Sequence, residues 1–242
     1  MVAAAGFLFP VFYDGIFAIP LDLKDDMVCV GYNRQPLQAK VKALKKKIQI
    51  EKNLIINEKC NSGIMRALGN SILPGKAGIL VDPVVVSRLN EPRQEFSIAH
   101  ELFHIKLNDA VTINLLAAAV TLVAAIALTI LFPHLPFFSV TMQWTPLLVG
   151  FVAQGAFSKF CEKRADLLAL SVCSEDAKNN AYKLFEGLRV LHKQHREATN
   201  VSILVSLWRR ITITPDGDYR LGFAHPSFSE RVRYLKPQAA AA

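Results

Sequence analysis

Residues 90–109, NEPRQEFSIAHELFHIKLND, are the stretch from which both the fold and the chemistry of this chain can be worked out. Asn90-Glu91-Pro92 reads as a helix start, because asparagine caps the first turn and proline is tolerated there, where its missing N–H is not needed. Phe96, Ala99, Phe103 and Leu107 recur three or four residues apart and give one apolar face. The spacing predicts a helix to about Lys106 or Leu107, just before Asn108-Asp109. In that helix His100 and His104 lie four residues apart on one face, where both imidazoles can reach a single tetrahedral zinc. Glu101 follows the first histidine and can reach a metal-bound water as general base. With six histidines in 242 residues, a chance match to His-Glu-x-x-His arises in roughly one sequence in a hundred or fewer. The bland alternative is a helix whose two histidines never meet a metal.

Immediately after this stretch the charges stop. From Ala110 to Phe157 there is no Asp, Glu, Lys or Arg, a gap of 48 residues, while the 28 Lys and Arg divide into 14 within 21–109 and 14 within 158–242. A bilayer core takes about 20 apolar residues per helix, so the gap is sized for two spans. Residues 111–132 read as a spanning helix. Pro133-His134-Leu135-Pro136 reads as a tight turn, and residues 137–157 as a weaker second span carrying Gln143, Pro146, Gly150 and Gln154. A pair of buried helices in a soluble bundle is the alternative, but 48 uncharged residues exceed what it requires.

A catalytic zinc needs a third protein ligand and an open position. The best candidate is Glu162, in Cys161-Glu162-Lys163-Arg164-Ala165-Asp166, on a helix read over Ser158–Val172. Asp166 lies one turn beyond and could hydrogen-bond a ligand histidine. If His100, His104 and Glu162 share one ion, the intervening chain must cross the membrane an even number of times. Two spans satisfy that condition.

Upstream, residues 40–52 read as a basic amphipathic helix with Val41, Leu44 and Ile48 inward. Asn53–Ile56 and Gly78–Asp82 read as short strands of a small sheet, with turns at Asn61-Ser62-Gly63 and Leu73-Pro74-Gly75. Residues 1–20 are apolar but broken by Pro10, Asp14, Gly15 and Pro20; a kinked membrane segment, an interfacial anchor and a core strand all fit. Downstream, a polar helix over Ser174–Ala198 has the stripe Ala181, Leu184, Leu188 and Leu191. Val201–Trp208 is too short to span. Ile211–Phe223 reads as a hairpin turning at Pro215-Asp216-Gly217-Asp218, and a last helix follows Pro226. Cys29, Cys60, Cys161 and Cys173 form no CxxC pair and read as reduced thiols. The net charge of +8 comes with no nucleic-acid motif, so no nucleic-acid partner is expected. His134, His192 and His195 read as bystanders.

The ordered set His100–His104, Glu162–Asp166 and His225-Pro226-Ser227-Phe228-Ser229-Glu230-Arg231-Val232 resembles the HtpX-like and prenyl-CAAX-type membrane zinc endopeptidases. The resemblance covers roughly residues 50–236. It implies hydrolysis of internal peptide bonds at one zinc ion, with His225 helping to stabilise the oxyanion and Arg231 supporting the ligands. Lys163 and Arg164 beside Glu162 could bias substrate choice.

The expected architecture is α+β and mainly helical, a zincin-like domain with a small sheet, interrupted by a transmembrane hairpin. Its expected parts are residues 1–20, an apolar segment; 21–109, with the metal-binding helix; 110–157, the hairpin; and 158–242, with the third ligand. The expected partners are a protein or peptide substrate, held extended along an edge strand of the 61–82 region, and a lipid bilayer. Basic flanks of the gap place the site on the cytoplasmic side of a multi-pass membrane protein. A catalytically inactive scaffold with the same fold and a zinc hydrolase acting on a non-peptide bond are the competing readings.

Overall fold

The computed structural model describes residues 35–58, 65–69, 77–134, 140–198, 202–220, 222 and 224–240. Residues 1–20, the two turns at 61–63 and 73–75, Cys29, Cys60 and part of the 133–136 turn lie outside the described residues. Within them the chain is mainly helical with one small sheet, as expected of an α+β fold.

Helix α1 (Gln35–Ile48) buries Leu37, Val41, Leu44 and Ile48, which share one face at helical spacing, and leaves its lysines outward. It stops at Gln49, whose φ of 60° takes the backbone out of the right-handed helical region. Strands β1 (Leu54–Glu58), β2 (Met65–Leu68) and β3 (Ala77–Val81) follow. The sheet order is β1-β3-β2, with β3 parallel to β1 and antiparallel to β2. Gly78 pairs with Ile55 at the β1–β3 contact, where a Cβ would come within 2.1 Å of the Ile55 carbonyl oxygen, so only glycine fits. Strand β2 was not foreseen; four residues including Arg66 and no alternation carry too little signal.

A short helix α2 (Pro83–Arg88) leads to α3 (Glu91–Lys106), which starts as the sequence predicts. The Asn90 side chain accepts from the Arg93 N–H, and Pro92 occupies the first turn. Phe96, Ile98, Ala99, Leu102, Phe103 and Ile105 are buried, a wider apolar face than the four-residue stripe suggests. Asn108, with φ of 57°, separates α3 from α4 (Asp109–Leu131).

Helix α4 pairs with α5 (Val140–Val172) in an antiparallel hairpin. Asp109 meets Arg164, Gln154 donates to Asn114 at 3.2 Å, and Gly150 lies against Thr121 and Ala117. The expected break at Phe157 between hairpin and following helix is absent: α5 runs through it without interruption, Pro146 included. A change from apolar to charged residues alters which solvent a helix wants, not its backbone hydrogen bonds. Among the described residues, α4 is the one helix long and apolar enough to cross a membrane by length and composition.

Helix α6 (Glu175–Glu197) begins at the cap Ser174, whose N–H and hydroxyl both bond Glu95 of α3. Ala181 is buried and Leu184 and Leu188 pack on the core, but Leu191 is exposed, so the stripe ends a turn early. Helix α7 (Ile203–Thr212) extends beyond the short run read there and takes up the start of the expected hairpin. What remains of that hairpin is a single bridge, Ile213 to Tyr219, around Gly217. Helix α8 (Phe228–Ala240) follows Pro226. The core is shared by α1, β3, α3, the second half of α5, α6 and α8, with the small Ala165 and Ala169 buried on α5.

Candidate metal centre

Two elements deliver the central groups. Helix α3 presents His100 and His104 on one face, and α5 crosses it with Glu162 turned inward. His100 Nε2 and His104 Nε2 lie 3.0 Å apart; Glu162 Oε2 is 3.5 Å from the first and Oε1 is 3.4 Å from the second. One ligand atom from each of the three residues lies within 4.8 Å of the others. This is the set expected from the sequence.

The outer ring nitrogens are held by carboxylates. His104 Nδ1 is 2.7 Å from Asp109 Oδ2, and His100 Nδ1 is 2.8 Å from Asp166 Oδ1, the latter off the ideal N–H direction. A carboxylate oxygen accepts, so Nδ1 carries the proton on each ring and Nε2 is left as a lone-pair donor to a cation. Two lone pairs and two carboxylate oxygens then converge on one point. A divalent cation could be held by all of them at once. The formal charges agree: Glu101, Asp109, Glu162 and Asp166 face Arg164 and Arg231, leaving a surplus of two negative charges.

Arg231, on α8, binds the acidic pair together. Its Nη2 donates to Glu162 Oε2 at 2.7 Å and to Asp166 Oδ1 at 3.1 Å, and its Nε donates to Asp166 Oδ2 at 2.8 Å. The Tyr234 hydroxyl, one turn further on, donates to Asp166 as well. His225 brings Nδ1 to 3.2 Å from Glu162 Oε1 while remaining largely exposed. Glu101 is half-buried, and its Oε2 accepts from the Ala67 N–H of β2 at 2.5 Å, with Oε1 in no hydrogen bond among the described residues.

These contacts set the protonation of the metal-free cluster. Burial alone would lower the His100 pKa, but the Asp166 and Glu162 carboxylates outweigh it and lift it to about 10. For His104, burial likewise opposes and Asp109 and Glu162 win, so its pKa is raised. Burial would raise Glu162, yet hydrogen bonds from His100, His104 and His225 hold it far below the usual carboxylate range. Asp166 is lowered against its burial by Arg231 and His100. Glu101 goes the other way: burial raises it, and the neighbouring histidines only partly offset that.

All seven residues singled out from the sequence, His100, Glu101, His104, Glu162, Asp166, His225 and Arg231, come together. His134, His192 and His195 stand apart from them. Asp109, Arg164, Tyr234 and the Ala67 N–H were missed. Asp109 carried one usable signal, as the last charge before the 48-residue gap and the first residue of a helix five positions after a ligand. Tyr234 lies three residues from Arg231, on the same helix face. Of the two basic residues beside Glu162, Arg164 pairs with Asp109, and Lys163 is exposed with its Nζ over the Tyr234 ring. The cluster opens into a cleft of about 660 Å³ bounded by β2, by the start of α4 and by His225.

A model described as peptidase family M48 matches residues 35–239, most of the chain. Comparison with curated proteins gives no match, and neither does comparison with solved structures.

Proposed function

The chain belongs to peptidase family M48 and is therefore a metallopeptidase acting on proteins or peptides, and from that premise we propose a zinc-dependent endopeptidase held in a membrane by the α4–α5 hairpin. The observation that carries the zinc assignment is the approach of two histidine Nε2 atoms to 3.0 Å, with both Nδ1 atoms occupied by carboxylates. Two nitrogens and one carboxylate with an open side toward a cleft are a catalytic zinc donor set. His100, His104 and Glu162 are the ligands, and Asp109, Asp166 and Arg231 hold them in place.

When bound, zinc supplies Lewis acidity, polarising the scissile carbonyl and acidifying a water. The residues of this chain do the rest. Glu101, steadied through Oε2 by the Ala67 N–H, takes the water's proton on its free oxygen and returns it to the leaving amine. His225, exposed at the cleft, donates to the oxyanion as charge develops. Strand β2, the edge of the sheet, aligns the substrate in extended form.

Residues 21–109 and 158–242 form one catalytic unit, and 110–157 the insertion that crosses the bilayer. Apolar surface supports this membrane reading: Ile130 is 71% exposed on α4 and Leu148 63% exposed on α5. Water tolerates such surface only in small patches. The basic residues flanking the hairpin favour a site on the cytoplasmic side, and membrane or misfolded proteins are the natural substrates of an enzyme so placed.

The deciding experiment measures bound zinc and cleavage of a casein-like or membrane substrate in the native chain and in Glu101→Gln. Activity should fall by about 10²–10⁴-fold, the usual worth of a general base, with zinc retained. Equal activity in the two proteins, or no zinc in either, overturns the proposal. Release of the chain into the soluble fraction by carbonate overturns the membrane part alone.

A further inference from the structure

Helix α7 has a feature that neither the core nor the metal centre accounts for. Ile203, Leu204, Leu207, Trp208 and Ile211 all point outward, with Ile203 86%, Leu204 78% and Trp208 63% exposed. At 3.6 residues per turn the five fall within an arc of about 140°. Ser206, Arg209 and Thr212 face the protein, while Val205 and Arg210 remain exposed beside the arc. Thr212 is buried, Arg209 donates to the His195 carbonyl at 3.0 Å, and Arg196 donates to the Ile213 carbonyl at 3.1 Å, so α7 is tied down at the end of α6 with its apolar arc turned away. Ten residues are too few to cross a bilayer, which takes about 20.

We propose that α7 lies in the plane of an anionic membrane surface, its apolar arc among the acyl chains and Arg210 at the headgroups. Three observations choose lipid over another protein surface. Between Glu197 and Asp216 the chain has two arginines and no acidic residue, a charge that complements anionic headgroups. A second copy packed face to face would set the same arginines against each other, and residues 1–20 offer only Asp14 as an acidic partner. Trp208 closes one edge of the apolar arc and Arg210 stands just beyond the other, and amphipathic rings such as that of Trp208 settle at the headgroup boundary. The inference rests on the membrane reading of the hairpin, and it adds a second, peripheral contact with the lipid.

The chain has two tryptophans, Trp144 and Trp208, so each contact can be read alone. The full-length Trp144→Phe protein is reconstituted into vesicles of phosphatidylcholine with phosphatidylglycerol, and Trp208 emission is followed with lipids brominated either high or near the end of the acyl chain. The expected result is a blue shift on moving from detergent to vesicles and stronger quenching by the high bromines. Arg210→Glu should reduce that quenching on anionic vesicles. In Trp208→Phe, Trp144 reports the hairpin by the same method. Lipid quenching of Trp144 without quenching of Trp208 overturns the α7 proposal and leaves the hairpin intact. Quenching of Trp208 without Trp144 upholds α7 and removes the hairpin. A Trp208 emission that is already blue in detergent and unmoved by bromine means that a second copy or residues 1–20 cover the arc, and it overturns the proposal.

Discussion

The two halves of α5 share one backbone and obey opposite rules. From Val140 to Phe157 the large side chains Trp144, Leu148, Phe151 and Val152 are exposed. From Ser158 to Val172 the buried residues include Glu162 and Asp166, each held in a net of ion pairs. A soluble domain buries its leucines and exposes its acids. Here one half exposes apolar bulk and the other buries charge, and each departure matches one partner in the proposed function: a bilayer for the first, a cation for the second.

Breaking the charged half should have the largest effect. Glu162→Ala removes a ligand and leaves Arg231 with Asp166 alone. We expect activity and bound metal to be lost, with destabilisation approaching the ~3 kcal/mol lower end seen when a buried pair is broken; metal analysis and thermal unfolding in detergent check both. The apolar half should fail differently. Leu148→Arg places a charge where the bilayer centre is expected, at a cost of about 2.5–3.5 kcal/mol for insertion. Carbonate extraction should release more of this variant, while its zinc content in detergent matches the native chain. If Leu148→Arg abolishes zinc binding too, the halves are not independent and the contrast collapses.

A gentler probe uses pH. His100 has a folded pKa of about 10 against an ordinary 6.5, so its contribution to the metal-stripped protein is complete below about pH 6.5 and is lost as pH rises through 10. The raised His104 and the raised Glu101 act in the same direction. Glu162 and Asp166, both lowered, contribute above their ordinary 4.5 and 3.8 and lose that contribution only on acidification. The melting temperature of the metal-stripped chain should therefore decline between pH 7 and 10. Metal-loaded protein, whose ligand imidazoles must be neutral, should show a flatter profile. Parallel profiles would mean that the carboxylates do not hold those protons.

How much of this could be read in advance follows the range of the interactions. Asn90, Pro92 and the His100–His104 spacing act within two turns, and the helix they specify starts at Glu91 and ends at Lys106 as read. Glu162 and Asp166 stand out only because chain order and the uncharged gap return them to the same side. Asp109, Arg164 and Tyr234 work through partners as many as 68 positions away, and no local pattern encodes such a meeting. The continuity of α5 was hidden for the opposite reason: a change of composition at Phe157 looks like a boundary, yet helix hydrogen bonds run straight through it. Helix α7 was legible as a short apolar run, but which side would face outward depended on Thr212 and Arg209 finding the end of α6.

The bond from the Ala67 N–H to Glu101 has a bearing on solubility and fidelity as well as on chemistry. Strand β2 is a sheet edge, and exposed edges pair with whatever extended chain arrives. In this edge the half-buried Glu101 carboxylate occupies the Ala67 N–H, one donor fewer for an unwanted partner strand. An incoming strand that does align with β2 arrives beside the free oxygen of that same carboxylate. Because a slip of one residue turns every side chain to the opposite face, a substrate bound as proposed along β2 would have its cleaved bond fixed jointly by that register and by the reach of Glu101.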